Sequence, residues 1–394
     1  MPGRDLIIRN IPEATFDKFR KLKDEKQYED WVEFIKYLVR DVRLLDTTGE
    51  QIQKGTRDNL LGLWCKNFRR NLYYIPPMPL EEIRKTCELM EKNAKTGGSK
   101  SVADLVPEQI QKEDAAGQNT LKPYNLGSAL IIGRGPSIFK HKHLDLLAKS
   151  NYKGTLMVTD GMLIECLKAN VTPDLFPNFY VVTVDGNLEF IVKWYDHELV
   201  KQYGPKIKAC IASATAYNAV EKAIESGMQI YWFQPLFDDI TDISSWTKLN
   251  MYMTSTDKRP NGIPSTQCGG NCGATAWVIA HAIMRKNPCG LIGIDLGYLE
   301  ETPLEETSYY KQALKITGGD VIAAKSLFKR IYNPYYKVTA TADQIFYHYR
   351  ESWLQMATEC LPWERTINCT EGGTLHGDRI EQMRFAEFLE AFSE

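Results

Sequence analysis

The sequence predicts an α/β fold: a Rossmann-like parallel sheet with helices on both faces, preceded by a mostly helical N-terminal region. From residue 126 onward, short apolar runs alternate with segments of helical length, which is the pattern of βαβ crossovers. These runs end in small or polar residues, as strands do where their ends approach a ligand. The chain has 394 residues, enough for two or three domains of ~150 residues each.

The predicted strands are apolar at successive positions, as expected where helices cover both faces of a sheet. They are residues 129–132, 155–159, 180–184, 209–212, 229–233 and 291–294. The predicted helices between them are residues 138–150, 165–170, 189–202, 217–226 and 274–285. We place the sheet and the C-terminal helices in one domain, residues 121–394. Within it we expect residues 304–359 to be mostly helical and residues 379–392 to form a last amphipathic helix.

Composition limits the classes of function. Hydrophobic residues make up 43% and charged residues 25% of the chain, as in ordinary globular proteins. The net charge of −2 argues against whole-molecule attraction to nucleic acid or an anionic membrane. No apolar run approaches the ~20 residues of a membrane span, and the N-terminus does not resemble a signal peptide. We therefore expect a cytoplasmic protein without a membrane partner.

The nine cysteines are scattered along the chain, which is typical of reduced thiols packed as small hydrophobes. Cys268 and Cys272 are the one close pair. A zinc site would need a second pair or histidines at suitable spacing, and neither is visible beside them. We expect no metal at this pair.

Residues 5–42 indicate a short strand, residues 5–11, followed by two helices. This layout resembles a ribbon–helix–helix module, in which two chains pair their strands and insert them into the DNA major groove. The strand here, LIIRN, offers few donors for base edges. We therefore interpret residues 1–45 as a ribbon–helix–helix-like or helical arm and favour homodimerisation over DNA binding. Residues 46–120 form a predicted helical region and linker.

The stretch that follows the first predicted sheet strand, GRGPS at residues 133–137, predicts a phosphate site. Glycines let the main chain approach a ligand, and the unpaired N–H groups at a helix start favour an anion. Proline suits an early helix position. The spacing is neither that of a dinucleotide fingerprint nor that of a P-loop, so a tight structural turn is the alternative. The candidate phosphate contacts are Gly133, Arg134, Gly135, Pro136 and Ser137.

Polar residues at the other strand ends form a second group of candidates, because parallel strands end along one edge. Asp185 is placed to hold a ribose hydroxyl, a metal or a substrate hydroxyl; the alternative is a helix N-cap. The other candidates at strand ends are Asp160, Gly161, Gly186, Asn187 and Asp295.

Two more glycine-rich loops complete the predicted site. Gly269, Gly270 and Asn271 precede a helix and offer N–H donors to a polar group. The second loop, NCTEGGTLHG at residues 368–377, contributes Thr370 and Gly372 as binding residues. Its Glu371 and His376 are candidates for a general base or acid, since transfer to a hydroxyl needs a proton acceptor.

These segments together resemble the family that includes archaeal 6-hydroxymethylpterin diphosphokinases and the flagellin-modifying motility accessory factors. The resemblance implies a Rossmann-like sheet related to that of sialyltransferases, whose G-x-G-P-S turn holds a nucleotide phosphate. The pterin enzymes transfer a diphosphate from ATP with magnesium; the accessory factors resemble glycosyltransferases that use a CMP-activated nonulosonic acid. The matching segments are IIGRGPS, VTDG, TPDLFPNFYVVTVDGN, GGNCGATAWVIAHAI, LIGIDLGYL and NCTEGGTLHG.

We interpret the chain as a nucleotide-dependent transferase without a tightly bound cofactor. The GGNCGATA and NCTEGG segments resemble the glycosyltransferase branch, which implies a CMP-sugar donor and a small-molecule or protein hydroxyl acceptor. One alternative is an ATP-dependent pterin diphosphokinase, in which Asp185 holds magnesium and Asp160 or Asp295 supplies a second ligand. The other is a non-catalytic nucleotide-binding or DNA-associated dimer.

Overall fold

The structure is a computed structural model. It describes residues 60, 62–71, 74, 84–96, 98, 100–116, 122–236, 238, 240–241, 245–256 and 259–393, together with residues 17, 20 and 21. The chain divides into two compact units, Met1–Arg57 and Asp58–Glu394. In the first unit, residues 17, 20 and 21 are helical, whereas the predicted strand at residues 5–11 lies outside the described residues. The second unit includes residues on both sides of the boundary expected near residue 120.

Thirteen strands are present among the described residues. They are β1 Lys100–Ser101, β2 Ala129–Ile132, β3 Thr155–Thr159, β4 Phe179–Thr183, β5 Lys208–Ala212, β6 Gln229–Pro235, β7 Ser265–Thr266, β8 Cys289–Ile292, β9 Tyr298–Leu299, β10 Lys329–Asn333, β11 Val338–Ala342, β12 Thr366–Asn368 and β13 Ile380–Gln382. Ten of them form one sheet in the order β1-β6-β5-β4-β3-β2-β8-β12-β13, with β7 beside β6. Every pairing in this sheet is parallel. The predicted fold class, a parallel α/β sheet, is confirmed.

Helices connect the strands. They are α1 at residues 62–71, α2 Arg84–Lys95, α3 Glu108–Ala115, α4 Ser137–Lys140, α5 His143–Ala148, α6 Leu163–Lys168, α7 Val192–Tyr195, α8 Glu198–Tyr203, α9 Tyr217–Glu225, α10 Trp246–Met253, α11 Cys272–Val278 with a π-helical extension Ile279–Ile283, α12 Tyr310–Ile316, α13 Val321–Ser326, α14 Gln344–Thr358 and α15 Phe385–Phe392. Short 3₁₀ turns lie at Val102–Leu105, Asp160–Met162, Gly204–Lys206 and Leu304–Glu306. None of the helices in the described ranges has the length and apolarity needed to cross a lipid bilayer.

The hydrophobic core lies on both faces of the parallel sheet. In β2, Leu130 and Ile132 join the cluster on one face, whereas Ala129 and Ile131 join the cluster on the other. All four side chains are fully buried. Successive residues of a strand point to opposite faces, so two-sided burial requires an unbroken apolar run, and this explains why the sequence predicted these strands well.

The region expected to be mostly helical, residues 304–359, also contains β10 and β11, which the sequence analysis missed. With β9 they form a separate antiparallel sheet in the order β10-β11-β9. The burial of β10 alternates between partly buried and exposed, as expected for a sheet with one face in solvent. The helical expectation was wrong here because both strands are only five residues long and neither has a continuous apolar run.

The predicted helix at residues 379–392 is shorter than expected, because Ile380–Gln382 forms β13 at the edge of the large sheet. Helix α15 begins afterwards, at Phe385. It buries Phe385 and Phe388 against the face that contains Leu130.

The turn after β2 packs directly on the loop after β8. The N–H of Gly133 donates to the carbonyl of Ile292 (2.9 Å), and that of Gly135 donates to the carbonyl of Gly293 (2.7 Å). A Cβ at Gly133 would lie 2.5 Å from the Gly293 carbonyl oxygen. The absence of a side chain at residue 133 is therefore a packing requirement of the sheet.

We predict that Gly133→Ala lowers the free energy of unfolding by about 1–3 kcal/mol, the range for inserting an atom into a packed interior. The matched control is Gly62→Ala in α1, where a Cβ would have open space within 4 Å. The control should be neutral or should stabilise by roughly 0.5–1 kcal/mol, because alanine favours a helix over glycine. Chemical denaturation of the three chains tests this. Equal stability of Gly133→Ala and wild type would contradict the packing argument.

Candidate active site

The candidate site lies at the carboxyl edge of the parallel sheet. From β2 the chain adds β3, β4, β5 and β6 successively on one side and then returns to place β8 on the other side of β2. The strand order therefore reverses between β2 and β8. In open parallel sheets, ligands bind outside the carboxyl ends of the strands at such a reversal.

At this reversal the crevice is closed by main-chain contacts. Gly133 and Gly135 are predicted to offer N–H groups to phosphate, but Gly133 donates to the last residue of β8 and Gly135 donates to the residue after it. Pro136 immediately precedes α4 with φ −63°, an early helix position as predicted. The two glycines therefore have a role in a tight structural turn, which was the alternative to phosphate binding. Their contact with phosphate stays a prediction.

Asp295 occupies the start of α4. Its Oδ2 accepts a hydrogen bond from the Ser137 hydroxyl at 2.7 Å, and the Ser137 main-chain N–H also stabilises the carboxylate. Burial nevertheless raises the pKa of Asp295 to about 7. Its Oδ1 is buried without a hydrogen-bond partner. The carboxyl group thus lies where an external anion was predicted, and it changes charge near neutral pH.

Asp160 and Asp185 follow the neighbouring strands β3 and β4 and lie close enough for their charges to interact. Asp160 is 9% exposed, and its Oδ1 accepts a hydrogen bond from the Gly161 N–H at 2.7 Å. Burial raises the pKa of Asp160 to about 7, and the negative charge of Asp185 adds to this. Thr183 and Arg134 act in the opposite direction. Two carboxylates and one cation therefore share this part of the edge.

Arg134 is the exposed cation of the turn after β2. Its guanidinium carbon lies 4.5 Å from the centre of the Trp194 ring in α7. A Cβ at Gly161 would lie 3.3 Å from Cδ of Arg134, so the arginine extends over the end of β3. The cation–π contact holds the side chain toward Asp160, a placement that the sequence did not reveal because Trp194 is 60 residues away.

The loop after β4 is fixed by its own side chains. The N–H of Asn187 donates to Oδ1 of Asp185 at 2.8 Å. The Oδ1 of Asn187 accepts from the N–H groups of Glu189 and Phe190, at 3.0 Å each. Asp185 itself is exposed. Its carboxylate therefore has a defined position and remains open to solvent.

Helix α1 covers the adjacent part of the edge, which the sequence analysis did not predict. Nδ2 of Asn67 donates to the carbonyl of Gly186 at 2.9 Å. Nδ2 of Asn71 donates to the carbonyls of Ser213 (2.8 Å) and Thr215 (3.0 Å). Both asparagines are fully buried. The signal available in the sequence is two asparagines four residues apart, and therefore on one face of an amphipathic helix.

The glycine loop before α11 has a clear structural role. Oδ1 of Asn271 accepts a hydrogen bond from the Ala274 N–H at 2.9 Å, which makes Asn271 the N-cap of α11. Gly269 and Gly270 both have positive φ, a conformation that glycine adopts without strain. The thiol of Cys272 donates to the carbonyl of Val182 at 2.8 Å, which places the start of this helix beside β4.

The predicted site residues in the loop after β12 contact different parts of the protein. The buried Thr370 hydroxyl accepts from the Ile294 N–H at 3.3 Å, which ties the loop to the end of β8. The carbonyl of Gly372 accepts from Nδ2 of Asn333 at 3.4 Å. Both residues therefore join the large sheet to neighbouring elements.

Glu371 contacts helices rather than the strand ends that hold Asp160 and Asp185. Its Oε1 lies 3.4 Å from Nε2 of His143 and accepts a hydrogen bond from the Phe385 N–H at 3.1 Å. The contact with His143 lowers the pKa of Glu371. This histidine is completely buried. The carboxylate therefore joins α5 to the start of α15, and its role as a general base stays a prediction.

His376 lies in a second environment. Its pKa is lowered by burial and by the charge of Arg350, and its Nε2 is buried without a hydrogen-bond partner. Arg350 donates to the carbonyls of Thr374 (2.8 Å) and His376 (3.3 Å). The neighbouring Tyr349 packs on Gly270. Helix α14 thus connects the His376 loop to the loop before α11.

The edge around Asp160 can therefore bind a polar ligand by two kinds of contact. Arg134 offers a positive charge to an anion, and the two aspartates offer hard oxygen donors to a cation or a hydroxyl. These oxygens suit Mg²⁺, which binds through one or two carboxylates and substrate phosphates. The donor set fits that ion at Asp160 and Asp185.

Comparison with known proteins gives one family match. Residues 108–301 match the family described as 6-hydroxymethylpterin diphosphokinase MptE-like. No curated protein matches the chain. Among solved structures, the chain is similar to the MAf glycosyltransferase from Magnetospirillum magneticum AMB-1, with 10% sequence identity and a TM-score of 0.45. That similarity covers 88% of this chain and 49% of the other, so the chain spans about half the length of that protein.

The family match begins at α3 and ends just after β9, so it includes β2 to β8, the strand reversal and both aspartates at the ends of β3 and β4. The similarity of this chain to the 6-hydroxymethylpterin diphosphokinase MptE-like family lies in these residues.

Proposed function

We propose that the chain is a nucleotide-dependent transferase whose donor phosphates bind over the ends of β2, β3 and β4. The match of residues 108–301 to a diphosphokinase-like family supports a transferase in general terms. The observation that carries the proposal is the proximity of Asp160, Asp185 and Arg134 at one edge. Such a set suits a phosphate ester, because the cation can contact the phosphate oxygens while the two carboxylates hold a metal ion or a hydroxyl group.

The first candidate reaction is diphosphate transfer from ATP to the hydroxymethyl group of a pterin. The sequence analysis preferred glycosyl transfer because of the loops at residues 269–276 and 368–373. The family described as 6-hydroxymethylpterin diphosphokinase MptE-like matches residues 108–301, which include the first of these loops, and this supports diphosphate transfer. The second carboxylate that a magnesium site needs is supplied by Asp160, across the edge from Asp185.

In this reaction each residue of the chain has one task. Asp160 and Asp185 would hold Mg²⁺, which when bound would neutralise the donor phosphates. Arg134, held by Trp194, contacts phosphate oxygens. Asp295, which is buried and accepts a hydrogen bond from Ser137, holds the start of α4 beside this site. Helix α1 holds the loops after β4 and β5 in position.

The second candidate is glycosyl transfer from a CMP-activated sugar to a hydroxyl, without a metal. The raised pKa of Asp160 favours it, because a carboxylate that titrates near neutral pH is an effective general base. The single phosphate of CMP would then contact Arg134. The two reactions assign different tasks to Asp160, so metal dependence separates them.

A thermal-shift screen of CMP, CDP, ATP and a pterin, each with and without magnesium, tests the proposal. We expect ATP with magnesium to raise the melting temperature, because binding to the folded state alone stabilises it. A metal-independent shift with CMP would instead support glycosyl transfer. If no nucleotide shifts the melting temperature, both transferase assignments are wrong.

Neutralising the aspartates should remove this response. We predict that Asp160→Asn and Asp185→Asn abolish the magnesium-dependent shift and lower turnover by at least about 100-fold, the lower end for losing a catalytic proton-transfer or charge-stabilising group. The matched control is Asp174→Asn, since Asp174 pairs with Lys206 on the surface. The control should keep both properties. An unaltered magnesium response in the two site variants would contradict the assignment.

Removing the buried charge should also change the dependence of stability on pH. The pKa of Asp160 is raised to about 7 in the folded protein but is near 3.9 in an unfolded chain. The folded state therefore holds an extra proton between these values, and this contribution to stability is lost as the pH rises through about 7. We predict that Asp160→Asn melts at a higher temperature than wild type at pH 8, and that the difference narrows at pH 5. A difference independent of pH would show that the carboxyl group does not titrate as described.

A further inference from the structure

A second cluster of chemically active side chains lies away from the candidate active site. His281, Cys360 and Glu364 each offer one ligand atom, and these three atoms lie within 4.8 Å of one another. All three residues are partly buried. His281 lies in the π-helical extension of α11, and the other two lie in the turn between α14 and β12. Seventy-nine residues separate His281 from Cys360, which is why no motif appeared in the sequence.

The cluster lies at the amino edge of the large sheet. Asn287, just before β8, donates through Nδ2 to the carbonyl of Trp363 at 3.0 Å. Its Oδ1 accepts from the N–H of Arg365 at 2.9 Å, and its own N–H donates to the carbonyl of Gly127, just before β2. The turn at residues 360–364 is thus beside the amino ends of the central strands, whereas Asp160 and Asp185 are at the carboxyl ends.

From this geometry we propose that His281, Cys360 and Glu364 form a site for a zinc-type divalent metal ion. Imidazole, thiolate and carboxylate are the ligands that zinc takes in proteins, and a site with three protein ligands leaves the fourth position to water. Together a thiolate and a carboxylate carry two negative charges, which a divalent ion neutralises.

The distance between the first two ligands fits such an ion. Sγ of Cys360 lies 3.8 Å from Nε2 of His281. Tetrahedral zinc with ordinary Zn–S and Zn–N bond lengths would separate these atoms by about 3.6 Å. Only a small adjustment of the side chains is therefore needed to bind the ion.

The histidine is oriented as metal-binding histidines are. Its Nδ1 lies 2.8 Å from the carbonyl of Trp277, so Nδ1 carries the proton and Nε2 presents its lone pair to Cys360. A carbonyl partner of this kind fixes the tautomer and the ring direction of a ligand histidine. The ring also packs on that of Trp277, with centroids 4.0 Å apart.

Hydrogen bonds fix the turn that supplies Cys360 and Glu364. The Arg379 guanidinium donates to the carbonyls of Cys360 (3.0 Å) and Leu361 (2.8 Å). One carboxylate oxygen of Glu364 accepts from the Leu361 N–H at 2.8 Å. These bonds set the positions of both ligands before a metal arrives.

The alternative is a hydrogen bond from the thiol to the imidazole, with no metal. Burial raises the pKa of Cys360 to about 11 and lowers that of His281, so without metal both groups are neutral at pH 7. A metal would displace the thiol proton to solvent as the S–metal bond forms. The two cases are distinguished by whether the chain binds metal through sulfur.

The experiment uses the full chain, stripped of metal with a chelator and titrated with Co²⁺ and then Zn²⁺. We expect one Co²⁺ per chain with visible tetrahedral d–d bands and a thiolate-to-metal charge-transfer band, both abolished by Zn²⁺. Cys360→Ser should remove the charge-transfer band and weaken zinc binding by more than about 100-fold, beyond the usual effect of outer-shell changes. Cys65→Ser, at a partly buried cysteine in α1, is the matched control and should bind like wild type.

Two measurements keep the test decisive if a variant folds poorly. Zinc should raise the melting temperature of the wild-type chain. It should raise that of Glu364→Gln by less, because this variant lacks the carboxylate ligand. X-ray absorption at the zinc edge of the wild-type chain should show one sulfur and lighter ligands. The absence of a charge-transfer band in wild type, or a zinc ion without a sulfur ligand, would overturn the proposal.

Discussion

The main-chain hydrogen bonds that join the turn after β2 to the end of β8 and the loop after it fix the sheet edge at which we propose that a ligand binds. They link Gly133 to Ile292 and Gly135 to Gly293, across the point where the strand order reverses. In many open sheets this point is a crevice that holds the ligand. Here it is closed by the protein itself, and a carboxyl group, Asp295, lies at the start of the following helix. We therefore place the proposed ligand site at the ends of β3 and β4.

This placement agrees with the distribution of charges along the edge. Arg134 leaves the closed turn and extends over Gly161, held by the ring of Trp194. Arg134 thereby lies near Asp160, and burial disfavours the charged form of that carboxyl group. Asp185 remains exposed. Carboxyl groups whose pKa is raised by burial are common at catalytic sites, because such groups exchange protons near neutral pH. Burial of Asp160 also lowers the free energy of unfolding at pH values above 7, where the carboxyl group is charged in the folded protein.

Much of the fold was predictable from the sequence, because strands buried on both faces must be continuously apolar. The predicted ends of β2 and β3 agree with the structure, and those of β4 differ by one residue. Strands β10 and β11 were missed because polar residues interrupt the apolar run in both, and in β10 the burial also alternates. Strand β12 was missed because three residues carry too little pattern to recognise.

The candidate site could be predicted from the sequence only for residues that directly follow a strand, because the strand then fixes where they lie. Residues that follow parallel strands must share an edge, and this placed Asp160 and Asp185 together. Contacts between distant segments carry no such pattern. The partners of Gly133, the binding of Asn67 and Asn71 to loops after β4 and β5, and the contact of Glu371 with His143 all depend on tertiary packing.

A crystal structure of the chain grown with ATP and magnesium would test the central claim most directly. The account predicts phosphate oxygens in contact with the Arg134 guanidinium, a magnesium ion bound by Asp160 and Asp185, and intact hydrogen bonds from Gly133 and Gly135 to the loop after β8. A nucleotide bound within an opened turn after β2, or one bound away from the ends of β3 and β4, would contradict it.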